Sequence, residues 1–586
     1  MQHNTINLRI DDTPVSVPEG TTVMEACEQL GIRIPRLCYH PDLSLAGSCR
    51  VCIVDVKGMG YYMASCSTLV WEGMEVQTNS PEIRQARRDI VELLLDNHPR
   101  DCQTCDRDGN CELQNLAYAM GVRRRHFDGE RKHFPLELTS HSVVRDAEKC
   151  ILCGRCVRVC AEIQGVHNLS QHGRGFTTVV APAHGANMDD SVCIQCGQCI
   201  NVCPTAAFVE KRGCGPVWDA IANPDLHVVI QTAPSIRAAI GEGFGLPPGT
   251  PATGRMITAL RRLGFDAVFD TNFGADLTIV EEAHEFLTRL KDGGPLPMIT
   301  SCSPGWVSFM EKFYPELIPH ASTCKSPMSM LSTLAKTYYA QHKGIDPKQV
   351  YVVAVMPCVA KKYEANRPEH LAPDGRPYTD AVLTTREMIW MIKCYGIDFI
   401  RLPEGKFDDP LGASSGAGDI FGTTGGVMEA TLRAASELVT GRPADRLEFT
   451  EVRAVEGLRE TYVAIGDRAI HVGVANGLTN AKVLLDKVVK GEEQFHVIEV
   501  MACPGGCIGG GGQPYPAENL KVLDPELLKK RAGALYAIDK GKTLRKSYEN
   551  PSIEELYDKF LGGPGTERAH ELLHTHYQAK LPRGVR

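Results

Sequence analysis

Cysteine supplies 23 of the 586 residues, and most of them stand two or three residues from another cysteine, before residue 215. Thiolates at such spacing hold metal, as structural zinc or as iron–sulfur clusters that carry electrons. The groups are Cys38, Cys49, Cys52 and Cys66; Cys102, Cys105 and Cys111, with His98 just before them; Cys150, Cys153, Cys156 and Cys160; and Cys193, Cys196, Cys199 and Cys203. Cys27, Cys214, Cys324 and Cys394 stand apart and read as scattered buried thiols, behaving as small hydrophobes.

Spacing separates the groups chemically. The first set has gaps of ten, two and thirteen residues, which suits a 2Fe–2S centre with two thiolates per iron. Zinc is the rival, but zinc sites more often pair two short Cys-x-x-Cys units. Gly47-Ser48 lets backbone amides approach the sulfides. The segment resembles the plant-type ferredoxin β-grasp fold, with longer loop spacing. In the second set, His98 becomes a good fourth ligand by its position. The pattern is similar to the one-His/three-Cys 4Fe–4S module of complex I large subunits and iron hydrogenases. The last two groups repeat C-x2-C-x2-C-x3-C and form the two-cluster ferredoxin run, in which the fourth Cys of each run ligates the other cluster. Cys150, Cys153, Cys156 and Cys203 then hold one cubane, and Cys193, Cys196, Cys199 and Cys160 the other. Ala161 stands where Pro often follows the first run, and paired zinc knuckles are the plain alternative.

Three later loops follow strand-like runs and also carry cysteine: Thr300-Ser301-Cys302-Ser303-Pro304-Gly305-Trp306, then Met356-Pro357-Cys358 through Lys361 to Glu364, then Glu499 through Met501, Cys503 and Cys507 to the glycines 509–512. Cysteines converging from distant loops at strand ends imply one more metal site. The glycine run would let backbone crowd a bulky inorganic group, between soft walls at Met356 and Met501. These loops resemble the iron-only hydrogenase motifs TSCCPxW, MPCxxKxxE and ExMACxxGCxxGGGxP. The resemblance runs from about residue 5 to the end. It looks closest to the catalytic subunits of NAD(P)-reducing, electron-bifurcating complexes.

That resemblance implies an H-cluster: a cubane bridged by one Cys to a di-iron unit with CO, cyanide and an azadithiolate. It implies Cys358, Cys503 and Cys507 as cubane ligands, with Cys507 the bridge, and Lys361 as a donor to cyanide. Pro234, Ser235, Met356, Phe421 and Met501 would line the pocket. Cys302, Glu282, Ser322, Glu285 and Arg289 would form the proton path. From spacing alone, Glu282, Glu285 and Arg289 share one face of a helix over 277–290, and that face would otherwise read as solvated, with a Glu285–Arg289 pair. One motif departs from the family, which has two adjacent cysteines where this chain has Cys302-Ser303. Either Ser303 ligates by oxygen beside a Cys302 proton relay, or Cys302 itself becomes the ligand after a local shift. The implied reaction is reversible heterolytic cleavage of dihydrogen to protons and electrons.

Positioning these groups takes several domains, and this length suggests about three to five. Hydrophobic residues at 43% and charged residues at 23% suit a globular core. A net charge of −8 argues against a strongly basic nucleic-acid binder. No apolar run of about 18 residues occurs, so no membrane span is expected. Met1-Gln2-His3-Asn4 has no leader character, so a cytoplasmic location is expected. The fold class reads as α+β multidomain. Residues 1–78 are a β-grasp 2Fe–2S domain, 79–120 the one-His/three-Cys module and 140–215 the two-cluster ferredoxin-like domain. Residues 225–515 are a large α/β H-cluster domain, and 520–586 a helical tail resembling the family's small subunit. In the first domain, Ile6–Ile10 and Val15–Val17 read as strands about Asp11-Asp12, before a helix capped by Thr21 or Thr22. Pro81 to Asn97 reads as a helix with an apolar stripe. Leu226–Ile230, Ala267–Asp270, Met298–Thr300 and Val350–Met356 read as strands of the large domain.

The cofactor inventory is one 2Fe–2S cluster, three accessory 4Fe–4S clusters and the H-cluster. No complete G-x-G-x-x-G occurs, since Phe421 and Leu246 stand in the third positions of the two near matches, and no P-loop occurs. Nicotinamide and flavin therefore belong to separate partner subunits, with ferredoxin the other electron partner and maturation proteins supplying the di-iron unit. The rival readings are an electron-transfer-only subunit, a hydrogen sensor and an iron–sulfur assembly factor.

Overall fold

The computed structural model describes residues 4–580 except 125, 128, 441–445, 467 and 517–520. Met1-Gln2-His3 and the ends of the expected tail, 520 and 581–586, lie outside the described residues.

The first domain is a five-stranded sheet in the order Thr13–Pro18, Thr5–Ile10, Glu75–Gln77, Ile53–Val56, Met63–Ala64. Its opening hairpin turns on Asp11 and Asp12, both at positive φ (46° and 64°), the conformation a two-residue turn between twisted strands requires. Leu8 and Ile10 alternate into the core while Arg9 faces out. Helix Val23–Gln29 starts at Thr22, not Thr21. The Thr22 hydroxyl accepts from the Glu25 amide, and the Glu25 carboxylate accepts from the Thr22 amide at 2.8 Å. Helix Pro81–Asp96 turns Ile83 and Val91 inward. The ferredoxin-like segment holds two short antiparallel strand pairs, Val143–Arg145 with Phe208–Glu210 and Ser170–His172 with Val179–Ala181. Gly154 and Gly197, both left-handed, turn each cysteine run into its short helix.

The large domain is built on two four-stranded sheets. One is wholly parallel, in the order Ala267–Asp270, His227–Thr232, Val350–Met356, Ala381–Thr384. The other runs Met298–Ile299, Val497–Met501, Arg468–Asn476, Leu458–Ile465, parallel except for the hairpin at its end. Helix Thr271–Asp292 is longer than the expected 277–290, and its residues from Thr271 to Ile279 are buried. The tail helices Pro525–Gly541, Pro551–Leu556 and Glu567–Leu573 wrap this domain, with Leu572 and Leu573 in one apolar cluster with Met330 and Leu331.

Of the isolated thiols, Cys27, Cys214 and Cys324 are buried, and burial pushes the Cys27 thiol up to about 12. Cys394 is not: it ends the helix Thr385–Cys394, beyond that helix's buried face, and is exposed.

Candidate active site

The carboxyl ends of the two sheets meet at one place, where ligands of open α/β sheets bind. Leaving Met356, the chain gives Pro357-Cys358; leaving Met501, it gives Ala502-Cys503 and then Cys507; leaving Ile299, it gives Cys302-Ser303. All five of these cysteine and serine side chains line one cavity of about 680 Å³. Pro234, Met356, Phe421, Met501 and Lys361 complete its walls. Ser235 does not line it. It is fully buried beside Gly422, and its hydroxyl has no hydrogen-bond partner. Gly509 to Gly512 do not face this cavity as a crowding backbone. A Cβ on each would strike protein instead: the Pro504 carbonyl, the Pro357 carbonyl, the Cys196 carbonyl and Thr384. The glycine run is therefore a packing device between loops.

The donor set fits a thiolate-held iron cluster. Three thiols and one further hydroxyl or thiol converge from three loops, against apolar walls. Lys361 is held for a polar task. Its Nζ donates to the Glu364 carboxylate at 2.7 Å and to the Cys302 carbonyl at 3.2 Å. Glu364 in turn accepts from the Ser329 hydroxyl at 2.7 Å and from Ser326. Sequence reading gave Glu364 no role, although its i+3 spacing from Lys361 was a signal for the pair. The Ser303 hydroxyl accepts from the Ala502 amide at 3.3 Å, which keeps it beside Cys503. Cys302 packs with Phe421 and Met501, and its charge neighbours are headed by Glu282.

From Cys302 a polar line leads outward. Glu282 is 1% exposed, and neither carboxyl oxygen has a hydrogen-bond partner. Burial pushes it up to about 8, only partly offset by Ser322 nearby and by the Ser301 amide. Ser322 donates to Glu285 at 3.2 Å, and Arg289 donates to the other oxygen of Glu285 at 2.5 Å. The Glu285–Arg289 pair forms as its spacing suggests, but the face is not solvated, because Ser322 and Ala321 cover it. Sequence reading placed Glu499 at the start of the third loop but gave it no role; it is wholly buried. It accepts from the Gly425 and Met428 amides, both at 2.7 Å, and burial holds it up to about 7.

The other cysteine groups lie on the opposite side of the cavity loops. Cys160 lines a single cavity of about 380 Å³ with Cys193, Cys196 and Cys199, so the first run's fourth cysteine sits with the second run. Burial raises the thiols of Cys150, Cys153 and Cys156, and the neighbouring Cys203 adds to the rise in each, so the second run's fourth cysteine sits with the first run. The Gln164 and Gln198 amides donate across to the carbonyls of Ala502 and Gly509, at 2.9 and 3.2 Å. Further out, Arg155 pairs with Glu112 at 2.6 Å, and the Glu112 amide donates to the Pro204 carbonyl. This fastens the module of Cys102, Cys105 and Cys111. Cys102 is exposed, Cys111 is buried, and His98 is buried just beyond the helix Pro81–Asp96. In the first domain, Cys38 and Cys49 each receive the other's amide at 3.4–3.5 Å, and Cys66 contacts both Cys38 and Cys52. Arg158 bonds the Cys38 carbonyl at 2.6 Å, joining this domain to the ferredoxin-like segment.

Comparison with known proteins agrees along the whole chain. Residues 226–511 match the family described as iron only hydrogenase large subunit, C-terminal domain, and residues 525–580 match iron hydrogenase small subunit. Residues 3–81 match a 2Fe-2S iron-sulfur cluster binding domain, 87–126 the NADH-ubiquinone oxidoreductase-G iron-sulfur binding region, and 149–207 a 4Fe-4S dicluster domain. The chain is 52% identical to the NADP-reducing hydrogenase subunit HndD of Solidesulfovibrio fructosivorans, over 98% of both chains. It is 41% identical to iron hydrogenase 1 of Clostridium pasteurianum, over 97% of this chain and 99% of that one. Among solved structures, an apo FeFe-hydrogenase from Chlamydomonas reinhardtii is 45% identical, with a TM-score of 0.55, covering 62% of this chain and 98% of that one.

Proposed function

The chain belongs to the iron-only hydrogenase family, and from that premise we propose that it cleaves dihydrogen reversibly at an H-cluster held in the 680 Å³ cavity and passes the electrons outward through its other clusters. The observation that carries this reading is the convergence of Cys358, Cys503 and Cys507 with the Cys302-Ser303 pair on that one buried space. When bound, the group supplies an open iron site and a pendant amine between which dihydrogen is split.

The chain's own residues do the rest. Cys358, Cys503 and Cys507 would hold the cubane, with Cys507 the one that would also serve the di-iron unit, and Ser303 would offer the fourth donor. Lys361, oriented by Glu364, gives a charge-assisted hydrogen bond to a cyanide. Pro234, Met356, Phe421 and Met501 exclude water. Cys302 accepts the proton, and Glu282, Ser322, Glu285 and Arg289 take it to the surface. Glu282, first among the charged groups that act on the buried Cys302, supports the relay over the ligand alternative.

Cys193, Cys196, Cys199 and Cys160 would hold the accessory cluster beside the cavity loops, and Cys150, Cys153, Cys156 and Cys203 the next. His98, Cys102, Cys105 and Cys111 would hold a third, and Cys38, Cys49, Cys52 and Cys66 the 2Fe–2S centre, so that together they would supply a path for electrons to the surface. Their acceptor is a flavin- and NAD(P)-binding partner subunit, with ferredoxin as the second candidate. The NADP-reducing relative supports the former. No described helix is long and apolar enough to cross a membrane. We infer a cytoplasmic location from the many thiols that must stay reduced. The test is an anaerobic, matured preparation, expected to carry about twenty iron atoms by these ligand groupings, infrared bands of CO and cyanide, and dihydrogen uptake. Absence of those bands in an active sample would sink the assignment, and stoichiometric FMN in the isolated chain would refute the partner reading.

A further inference from the structure

Where the polar line reaches Glu285, two other side chains close on it. One ligand atom each from Glu285, Cys324 and His574 lies within 4.8 Å of the others. They come from three separate segments: the helix Thr271–Asp292, the loop after Ser322, and the tail, which meets that loop in a bridge between Cys324 and His574. Glu285 divides its oxygens. Oε1 takes Arg289, while Oε2 faces the Ser322 and Thr323 hydroxyls and the Cys324 sulfur, 3.8 Å away, with the Thr323 amide shared between the two oxygens. His574 is divided likewise. Its Nε2 meets the Glu281 carboxylate at 3.2 Å, and its Nδ1 meets the Thr323 hydroxyl at 2.7 Å, on the Glu285 side. Glu281 is itself fixed, by the Tyr557 hydroxyl at 2.6 Å and the Gly565 amide at 3.1 Å.

This is the arrangement of a metal-binding histidine, in which a carboxylate holds one ring nitrogen and leaves the other for the ion. Thiolate, imidazole and carboxylate together are the donor set of zinc, and three protein ligands leave a fourth position for water. The Thr323 hydroxyl occupies the gap, 3.2 Å from Glu285 Oε2, and swings aside by rotation of one side-chain bond. Glu285, Glu282 and Glu281 put three carboxylates about the thiol, and the guanidinium of Arg289 pairs only with Glu285. Cys324 and His574 are buried and Glu285 is half-buried, so the ion enters from the Glu285 side.

We propose that Glu285, Cys324 and His574 form a site for a zinc-type divalent cation which, when filled, closes the proton exit of the enzyme. The binding stands on this geometry; the closing rests on the proposed function's placing of Glu285 on the proton path. The experiment uses matured holoenzyme titrated anaerobically with zinc chloride, measuring bound zinc by equilibrium dialysis, iron content, and dihydrogen oxidation. Wild type is expected to hold about one zinc tightly, and Cys324→Ala and His574→Gln to lose that uptake. Glu281→Gln should bind about 10- to 100-fold more weakly, as loss of a histidine's supporting carboxylate does. Turnover should fall as zinc binds and return with a chelator, each variant being referred to its own zinc-free rate. Iron content equal to wild type qualifies a variant, and Glu281→Gln carries the comparison if both ligand variants lose their clusters. Equal zinc uptake by wild type and the variants, or uptake accompanied by loss of iron, overturns the site. Zinc held as expected with turnover unchanged overturns the closing of the exit, and with it the placing of Glu285 on the path.

Discussion

Gly197, in the second cysteine run, and Val359, next to Cys358, stand so close that a Cβ on Gly197 would lie 2.2 Å from the Val359 Cγ2. The two loops carry the cysteines proposed for the last accessory cluster and for the H-cluster, so this contact fixes how near the two groups come. Gly197 is also left-handed, at φ 74°. Gly197→Ala should therefore cost about 1–2 kcal/mol in backbone conformation, and about 1–3 kcal/mol more in overpacking. Dihydrogen oxidation, which needs electrons to cross this contact, should fall more than isotope exchange between D2 and water, which does not. Measuring both rates on one preparation checks it; equal losses would show that the contact serves only folding.

Lys361 and Glu364 give the second prediction. Both are buried and 2.7 Å apart. Removing one member of a buried pair typically costs about 3–5 kcal/mol, because the other charge is left unmatched. Glu364→Ala should lower the melting temperature and leave Lys361 undirected, so that less di-iron unit is retained. Infrared band intensity per cubane measures retention, and Glu364→Gln, which still accepts a hydrogen bond, should recover part of it. An unchanged band intensity in Glu364→Ala would remove Glu364 from the site.

The legible part of this molecule was the grouping of its cysteines. Cysteine spacing is a local property, so Cys150 to Cys160 and Cys193 to Cys203 announced themselves, and the crossed partnership of Cys160 followed from the repeat. Strands such as Ala267–Asp270 and Val350–Met356 were legible because fully buried parallel strands are continuous apolar runs. Less legible was what depends on distant segments meeting. The helix Thr271–Asp292 extends N-terminally beyond its expected start because the Asp270 carboxylate caps it through the Asn272 amide. Glu281, Thr323 and His574 are 42 and 251 residues apart along the chain, and no local pattern joins them. The glycines 509–512 misled for the same reason: their neighbours are loops from other segments, not a bound group.

Cys302 and Ser303 give the third prediction. With Cys302 as the relay, Cys302→Ala should keep iron content and infrared bands but lose turnover about 10²- to 10⁴-fold, as expected for a missing proton carrier. Cys302→Ser should recover little, since a hydroxyl is far less acidic than a thiol. Ser303→Cys should be accepted, placing a thiolate where the hydroxyl now meets the Ala502 amide. Loss of the H-cluster from Cys302→Ala would make Cys302 a ligand and end the relay assignment.

Glu282 gives the last prediction, because its burial couples the proton path to stability. Its carboxyl ordinarily titrates at 4.5 and is pushed up to about 8 by burial, then by Glu285 and Glu499. Below pH 4.5 both folded and unfolded chains hold the proton, so the group's contribution does not depend on pH. Between that value and about 8 the unfolded chain has released the proton while the folded chain keeps it, and stability falls as pH rises. The slope is on the order of 1 kcal/mol per pH unit, and it levels above the folded value. Glu282→Gln keeps the shape and cannot ionise, so this fall disappears. The variant should melt at increasingly higher temperature than wild type from about pH 5 to about pH 8, while its turnover is lost across the whole range. Melting curves in a pH series, set beside dihydrogen oxidation at each pH, measure both. A constant difference in melting temperature between the two proteins would mean that burial does not hold the proton on Glu282 in the folded enzyme, and would end the coupling of this carboxyl to stability.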